Sequence, residues 1–182
     1  MEQTKNNSFW TDMGKPIVVL VLICIAVSAL LGLVHSMTEP VIQENNRITA
    51  ENNRKQALPS AVSFEELSYD GSDSSVTGVF KGLGDTGAVA GYVVTASNKG
   101  YGGDVVVTVG FDADGKIVNV QADVGTETTG VGSKVGEAST LEKFNGISGS
   151  ANNVTLISGA TYTSNAVRAG VNDALAAVAA VK

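Results

Sequence analysis

Thiol and imidazole are almost missing from this sequence: Cys24 and His35 are the only residues of their kinds. Cys24 lies inside a long apolar run and His35 at its edge. The remainder therefore offers no disulfide, no cysteine-ligated metal or iron–sulfur site, and no thiol nucleophile. The same absence removes Ser-His-Asp catalysis, histidine-ligated metals and c-type haem. A domain without cysteine is one that can be exported without mispairing. Aromatic residues make up 5% of the chain, whereas glycine occurs 21 times. That balance fits strands and tight turns better than a helical bundle. An excess of basic charge is also lacking: the formal net charge is −6. Nucleic acid is therefore not an expected partner, since phosphate backbones call for a basic face. Charged residues are dispersed, with no polybasic or acidic run.

What is present begins with the apolar run. Ile17 to Val34 carries no charged residue, and at about 1.5 Å per residue it covers roughly 27 Å, close to the thickness of a bilayer core. A cleaved signal peptide would have an apolar centre of about 7–15 residues. Here Leu30, Leu31, Leu33 and Val34 continue past the small residues Ala26, Ser28 and Ala29, so an uncleaved anchor is the preferred reading. Lys5 and Lys15 precede the span while Arg47, Arg54 and Lys55 follow it, and these do not set its orientation. A short N-terminus before a large domain favours a cytoplasmic N-terminus and an extracytoplasmic domain, on a cell-membrane protein with one span. The expected organisation is a tail over 1–15, an anchor over 16–37, a juxtamembrane helix or linker over 38–59 and one domain over 60–182. The linker helix is expected to stop at Pro59.

Beyond Ser60 the pattern changes to Val- and Thr-rich segments bounded by Gly, Asp and Asn. Val76–Phe80, Ala88–Ala96, Asp104–Phe111 and Ile117–Val124 read as strands. Phe111-Asp-Ala-Asp-Gly-Lys116 between two of them reads as a hairpin turn, since the later ligands of a calcium loop are absent. Lys134–Phe144 is expected to be a short helix and Val154–Ile157 a short strand. Ser164–Val181 repeats apolar residues at three- and four-residue steps (Val167, Val171, Ala174 or Leu175, Val178, Val181), the pattern of an amphipathic helix capped by Thr163 or Ser164. An α+β fold follows, with a mainly antiparallel twisted sheet and a C-terminal helix.

The stretch Ser158-Gly159-Ala160-Thr161 sits between that expected strand and helix. Helix N-termini expose unpaired N–H groups and a partial positive charge, and small residues admit a group close to the backbone. Two readings follow: an anion site with hydroxyls at Ser158, Thr161 and Thr163, or an ordinary turn whose hydroxyls cap the helix.

Ser158-Gly159-Ala160-Thr161-Tyr162-Thr163-Ser164 resembles the S/T-G-A-T-x-T-S motif of FMN-binding domains. Gly100-Tyr101-Gly102-Gly103, with the following strand and Asp114-Gly115-Lys116-Ile117, is similar to that family's G-Y-x-G and D-G-x-I blocks. Glu127-Thr128-Thr129-Gly130-Val131-Gly132 resembles its E-T-P-G-L-G loop. The motif's usual aspartate, six residues before the last threonine, is Thr155 here. Thr129 and Val131 replace a proline and a leucine, and Gly125 a common histidine. The resemblance implies a covalent FMN, attached through its phosphate to Thr161 by a dedicated flavin transferase. It implies that Ser158, Gly159 and Ala160 shape the turn and that the helix start at Thr163 offsets phosphate charge. Thr128, Gly130 and Gly132 would contact the ring. Tyr101 is either near the ring or an ordinary core or surface tyrosine. Glu127 is a ligand or a loop acid, and Lys134 a flavin contact or a solvated lysine.

Within the family, a short chain with one span is most similar to the G subunits of Rnf-type ion-translocating ferredoxin:NAD⁺ oxidoreductases. That implies an electron carrier with no catalytic residue or metal of its own, partnered by membrane Fe–S subunits and a second flavin subunit. The alternatives are a C-type subunit of a Na⁺-translocating NADH:quinone oxidoreductase, a stand-alone extracytoplasmic flavoprotein, or an anchored scaffold without flavin.

Overall fold

The computed structural model describes residues 13–71 and 75–182; the N-terminal tail expected over 1–15 lies almost wholly outside the described residues. The chain forms two units, Met1–Thr49 and Ala50–Lys182. One long helix, α1, runs from Lys15 to Ala57. From Ile17 to Val34 every residue of α1 is exposed. Among the described residues this is the one helix long and apolar enough to cross a membrane. Pro40 lies inside α1 and cannot donate to the carbonyl one turn earlier. In the turn before it the Thr38 hydroxyl donates to the Val34 carbonyl (3.0 Å) and the Ser36 hydroxyl to that of Leu33 (2.9 Å). The helix ends at Ala57, two residues before Pro59, where the pre-proline residue disfavours helical geometry.

The second unit holds five strands: β1 (Ser63–Leu67), β2 (Val76–Leu83), β3 (Val89–Lys99), β4 (Asp104–Asp112) and β5 (Ile117–Asp123). They pair in sequence order, every pair antiparallel. After them come 3-10 turns at Gly132–Gly136 and Glu142–Phe144, flanking the four-residue α2 (Ala138–Leu141), and the long α3 (Thr161–Val181). Alternation in β4 sends Val105, Val107, Val109 and Phe111 to one face, where they are fully buried against Val167, Val171, Ala174 and Val178 of α3. Each buried valine contributes about 1.5–3 kcal/mol, so this interface holds the unit together.

The opposite face receives the end of α1. Phe80, Val93, Gly110 and Asn119 form one row across four strands. Above them Arg54 lies 4.4 Å over the Phe80 ring, and Asn119 Nδ2 donates to the Gln56 carbonyl (3.0 Å). Ala57 and Leu58 bury with Val93 in a second small cluster. Gly110 makes that approach feasible, since a Cβ there would stand 2.0 Å from the Ala57 carbonyl oxygen.

One strand has no sequence expectation behind it, and two expectations need correction. Ser63–Leu67 is a strand although its sequence, Ser-Phe-Glu-Glu-Leu, carries two exposed glutamates; it is an edge strand and buries little. Val154–Ile157 is not a strand. Its carbonyls are taken individually, Val154 by Arg168 Nη2 (3.0 Å) and Thr155 by Lys143 Nζ (3.2 Å), while Leu156 buries alone. The segment expected as one helix over Lys134–Phe144 is broken into 3-10, α and 3-10 pieces. The Asp112–Lys116 hairpin turn matches expectation: Asp112 Oδ1 accepts the N–H groups of Asp114 and Lys116 (both 2.9 Å), and Gly115 has φ +80.

Candidate cofactor site

The C-terminal helix starts at Thr161, three residues earlier than its apolar period indicates, with Ala160 as a cap that makes no side-chain hydrogen bond. Thr163 and Ser164, expected as caps, are buried within the first turn. Their hydroxyls have other partners: Ser164 donates to the Ile157 carbonyl (3.4 Å) and Thr163 to Glu127 Oε2. The N–H groups of Thr161, Tyr162 and Thr163 have no carbonyl within the helix to receive them, because the first helical bond runs from Ser164 N to Ala160 O (2.8 Å). Thr161 is exposed, and among the described residues its hydroxyl has no hydrogen-bond partner.

Thr161 lies on the wall of a cavity of about 390 Å³. Gly159, Ala160, Tyr162 and Thr163 border it from the helix side; Tyr101 and the loop residues Glu127, Thr128, Val131 and Gly132 border it from the other. The three motif blocks thus meet at one place. Tyr101 and Tyr162 stand at its mouth with ring centroids 6.2 Å apart, and are 73% and 70% exposed. These open aromatic faces fit a planar aromatic ligand. Gly159 has φ +86 and nothing within 4 Å of where a Cβ would sit, so its backbone lies open to a bound group beside the helix start. Together, an aromatic mouth, an open glycine and unpaired N–H groups next to a free hydroxyl suit a flavin ring carrying a phosphate.

Of the residues singled out from the sequence, Ser158, Gly130 and Lys134 do not border this cavity. Ser158 faces a second, more open one of about 380 Å³, which Thr161 also borders together with Ser164, Asn165 and Arg168. Gly130 turns the loop, with φ +80 and its N–H on Ser133 Oγ (2.9 Å), and Lys134 is exposed. Two wall residues, Tyr162 and Val131, were not among the sequence candidates. The signal for Tyr162 was its place next to Thr161 at a helix start, where successive side chains fan around the same end.

Glu127 proves to be the centre of the arrangement. It is 6% exposed. Its Oε1 accepts the N–H groups of Tyr101 (3.0 Å) and Gly102 (2.9 Å), and Oε2 accepts the Thr163 hydroxyl. One carboxylate therefore ties the Gly-Tyr-Gly-Gly turn and its own loop to the first turn of α3. Gly132 must be small here, because a Cβ would stand 2.8 Å from Glu127 Cβ and 3.0 Å from Thr163 Oγ1. Burial alone pushes the carboxyl upward, but the donors from Thr163, Gly102, Gly103 and Tyr101 overcome it and hold it below the ordinary 4.5. A carboxyl with a depressed folded value stabilises the fold above its unfolded value, and that contribution is lost as pH falls through the folded value. Thermal midpoints should therefore drop on acidification below pH 4.5, and Glu127→Gln, with no charge to lose, should drop less. An unchanged acid slope in that variant contradicts the assignment.

Residues 100–176 match the FMN-binding domain family. The chain is 30% identical to the G subunit of the Na⁺-translocating ferredoxin:NAD⁺ oxidoreductase complex of Acetobacterium woodii, over 90% of both chains. It is 28% identical to the G subunit of the ion-translocating oxidoreductase complex of Methanosarcina acetivorans, over 93% of this chain and 96% of that one. It is 33% identical over 94 residues to the G subunit of the proton-translocating ferredoxin:NAD⁺ oxidoreductase complex of Clostridium ljungdahlii, which is 46% of this chain and 51% of that one. With the motif blocks gathered at one cavity and nearly the full length matched, the chain belongs to the FMN-binding G subunits of ion-translocating oxidoreductase complexes.

Proposed function

We propose that this chain is the membrane-anchored electron carrier of an Rnf-type ferredoxin:NAD⁺ oxidoreductase, with FMN joined through its phosphate to Thr161. The observation that carries this reading is the Thr161 hydroxyl: exposed, without a hydrogen-bond partner among the described residues, and set on the first residue of α3 at the wall of the cavity. Bound FMN would supply one- and two-electron redox chemistry that no side chain here can perform. The residues hold and shield it. The helix start offsets phosphate charge, Gly159 and Ala160 leave room beside it, and Tyr101, Tyr162 and Val131 flank the ring. No base is needed at Thr161, because a flavin transferase consumes the hydroxyl once during maturation.

In this reading residues 16–37 lie in the bilayer, 38–59 link them to the domain over 60–182, the N-terminus is cytoplasmic and the domain extracytoplasmic. Electrons arrive from membrane Fe–S subunits and leave toward a second flavin subunit. The test is a denaturing gel of the full chain produced together with a flavin transferase. A band fluorescent under ultraviolet light is expected, and a dark band refutes the covalent attachment.

A further inference from the structure

Glu127 presents a physical problem that its role as a tie does not solve. No lysine or arginine among the described residues pairs with it, and burying an unpaired ionised carboxylate is costly. The donors from Tyr101, Gly102 and Thr163 favour its ionised form, but none of them carries a charge that would neutralise it. A full negative charge therefore stays on the residue. It does have a place: Glu127 borders the same cavity as Thr161, Tyr101 and Tyr162. A charge on a buried residue, 6% exposed, acts on its neighbours more strongly than one in water.

We infer that Glu127 is a fixed negative charge beside the flavin ring that lowers its reduction potential, making the bound cofactor a stronger electron donor. This rests on the FMN reading above. An electron gained by the ring without a proton adds one unit of negative charge there, and a neighbouring carboxylate opposes that gain in proportion to its nearness. Thr163 tempers the effect, since its hydroxyl draws carboxylate charge toward itself and away from the ring. Glu127 is thus a positioning residue by its bonds to Tyr101, Gly102 and Thr163, and an electrostatic one by its charge.

The test compares flavin midpoint potentials by spectroelectrochemistry at pH 8 for the flavin-loaded full chain, Glu127→Gln and Thr163→Val. Thermal unfolding of the flavin-free proteins is measured in parallel. Glu127→Gln should shift the potential upward, while Thr163→Val, which bares the charge, should shift it downward. Both should lower the flavin-free unfolding temperature. A merely structural residue predicts the two stability losses with no change in potential, and equal potentials in Glu127→Gln and the parent chain overturn the inference. Where Glu127→Gln does not fold, Thr163→Val decides: a potential at or above that of the parent overturns it. Failure of the parent chain to take up covalent flavin sinks the functional reading first, and is told apart by the dark gel band.

Discussion

Gly110→Ala is expected to destabilise the domain strongly. The Cβ it introduces would stand 2.0 Å from the Ala57 carbonyl oxygen, 2.4 Å from its carbon and 3.1 Å from the Leu58 nitrogen. All three are backbone atoms, so no side chain can swing aside to relieve the clash. Either the end of α1 lifts from the sheet or β4 bends away from it. The first choice exposes Ala57, Leu58 and Val93, which are buried together, and breaks the Asn119–Gln56 bond. The second disturbs the Val109 and Phe111 side chains, which flank Gly110 on the strand and are fully buried against the core. Either route costs about 4 kcal/mol or more, a large share of the 5–15 kcal/mol that holds an ordinary domain folded. Circular dichroism of the detergent-solubilised full chain should show a midpoint at least about 10 °C lower. A midpoint within about 2 °C of the parent's would mean that α1 does not end on this strand.

Thr161→Ala should remove covalent flavin completely while leaving the fold intact. The residue is exposed, its hydroxyl bonds to nothing among the described residues, and alanine is well tolerated in helices. The stability change should stay within about 0.5 kcal/mol, as for other surface substitutions. Loss of the fluorescent band with an unchanged unfolding curve is the expected pair of results. Fluorescence that survives would move the attachment elsewhere. Ser158 is then the candidate, because it is exposed, whereas the Thr163 hydroxyl is buried on Glu127. Thr161→Ser, which keeps a hydroxyl at the same position, should restore the band.

Much of the fold could be read from residue order because the strongest signals are local. Val recurs in each of β2 to β5, and turn residues separate them, so four strands lie close to where the pattern puts them. The apolar period of α3 depends on one face only. The failures share a cause, which is that partners distant in sequence decided the outcome. Ser63–Leu67 is a strand because β2 pairs with it from Val79 to Leu83, not because Ser-Phe-Glu-Glu-Leu favours one. Val154–Ile157 looks like a strand, yet Arg168 and Lys143 satisfy carbonyls there that a ladder would have needed. The sequence indicates a later helix start because Thr163 and Ser164 are good capping residues, but in the fold their hydroxyls are committed to Glu127 and to the Ile157 carbonyl.

The site divides in the same way. Thr161 was legible from one short motif, and so was its setting of small residues before a helix. Glu127 was not, because its meaning depends on Tyr101, Gly102 and Thr163, which lie 26, 25 and 36 residues away. From the sequence it is either a ligand or a loop acid. In three dimensions it is the tie between the three motif blocks and the unpaired charge at the wall of the cavity.

The central claim is that Thr161 carries FMN as a phosphoester, and peptide mass mapping addresses it directly. Cleavage after Lys143 and Arg168 releases a single peptide, Phe144 to Arg168, containing Ser158, Thr161, Thr163 and Ser164. From the full chain matured with a flavin transferase, that peptide should be heavier by one FMN less one water, with fragmentation placing the addition on Thr161. An unmodified peptide, or one carrying the flavin on Ser158, would contradict the account.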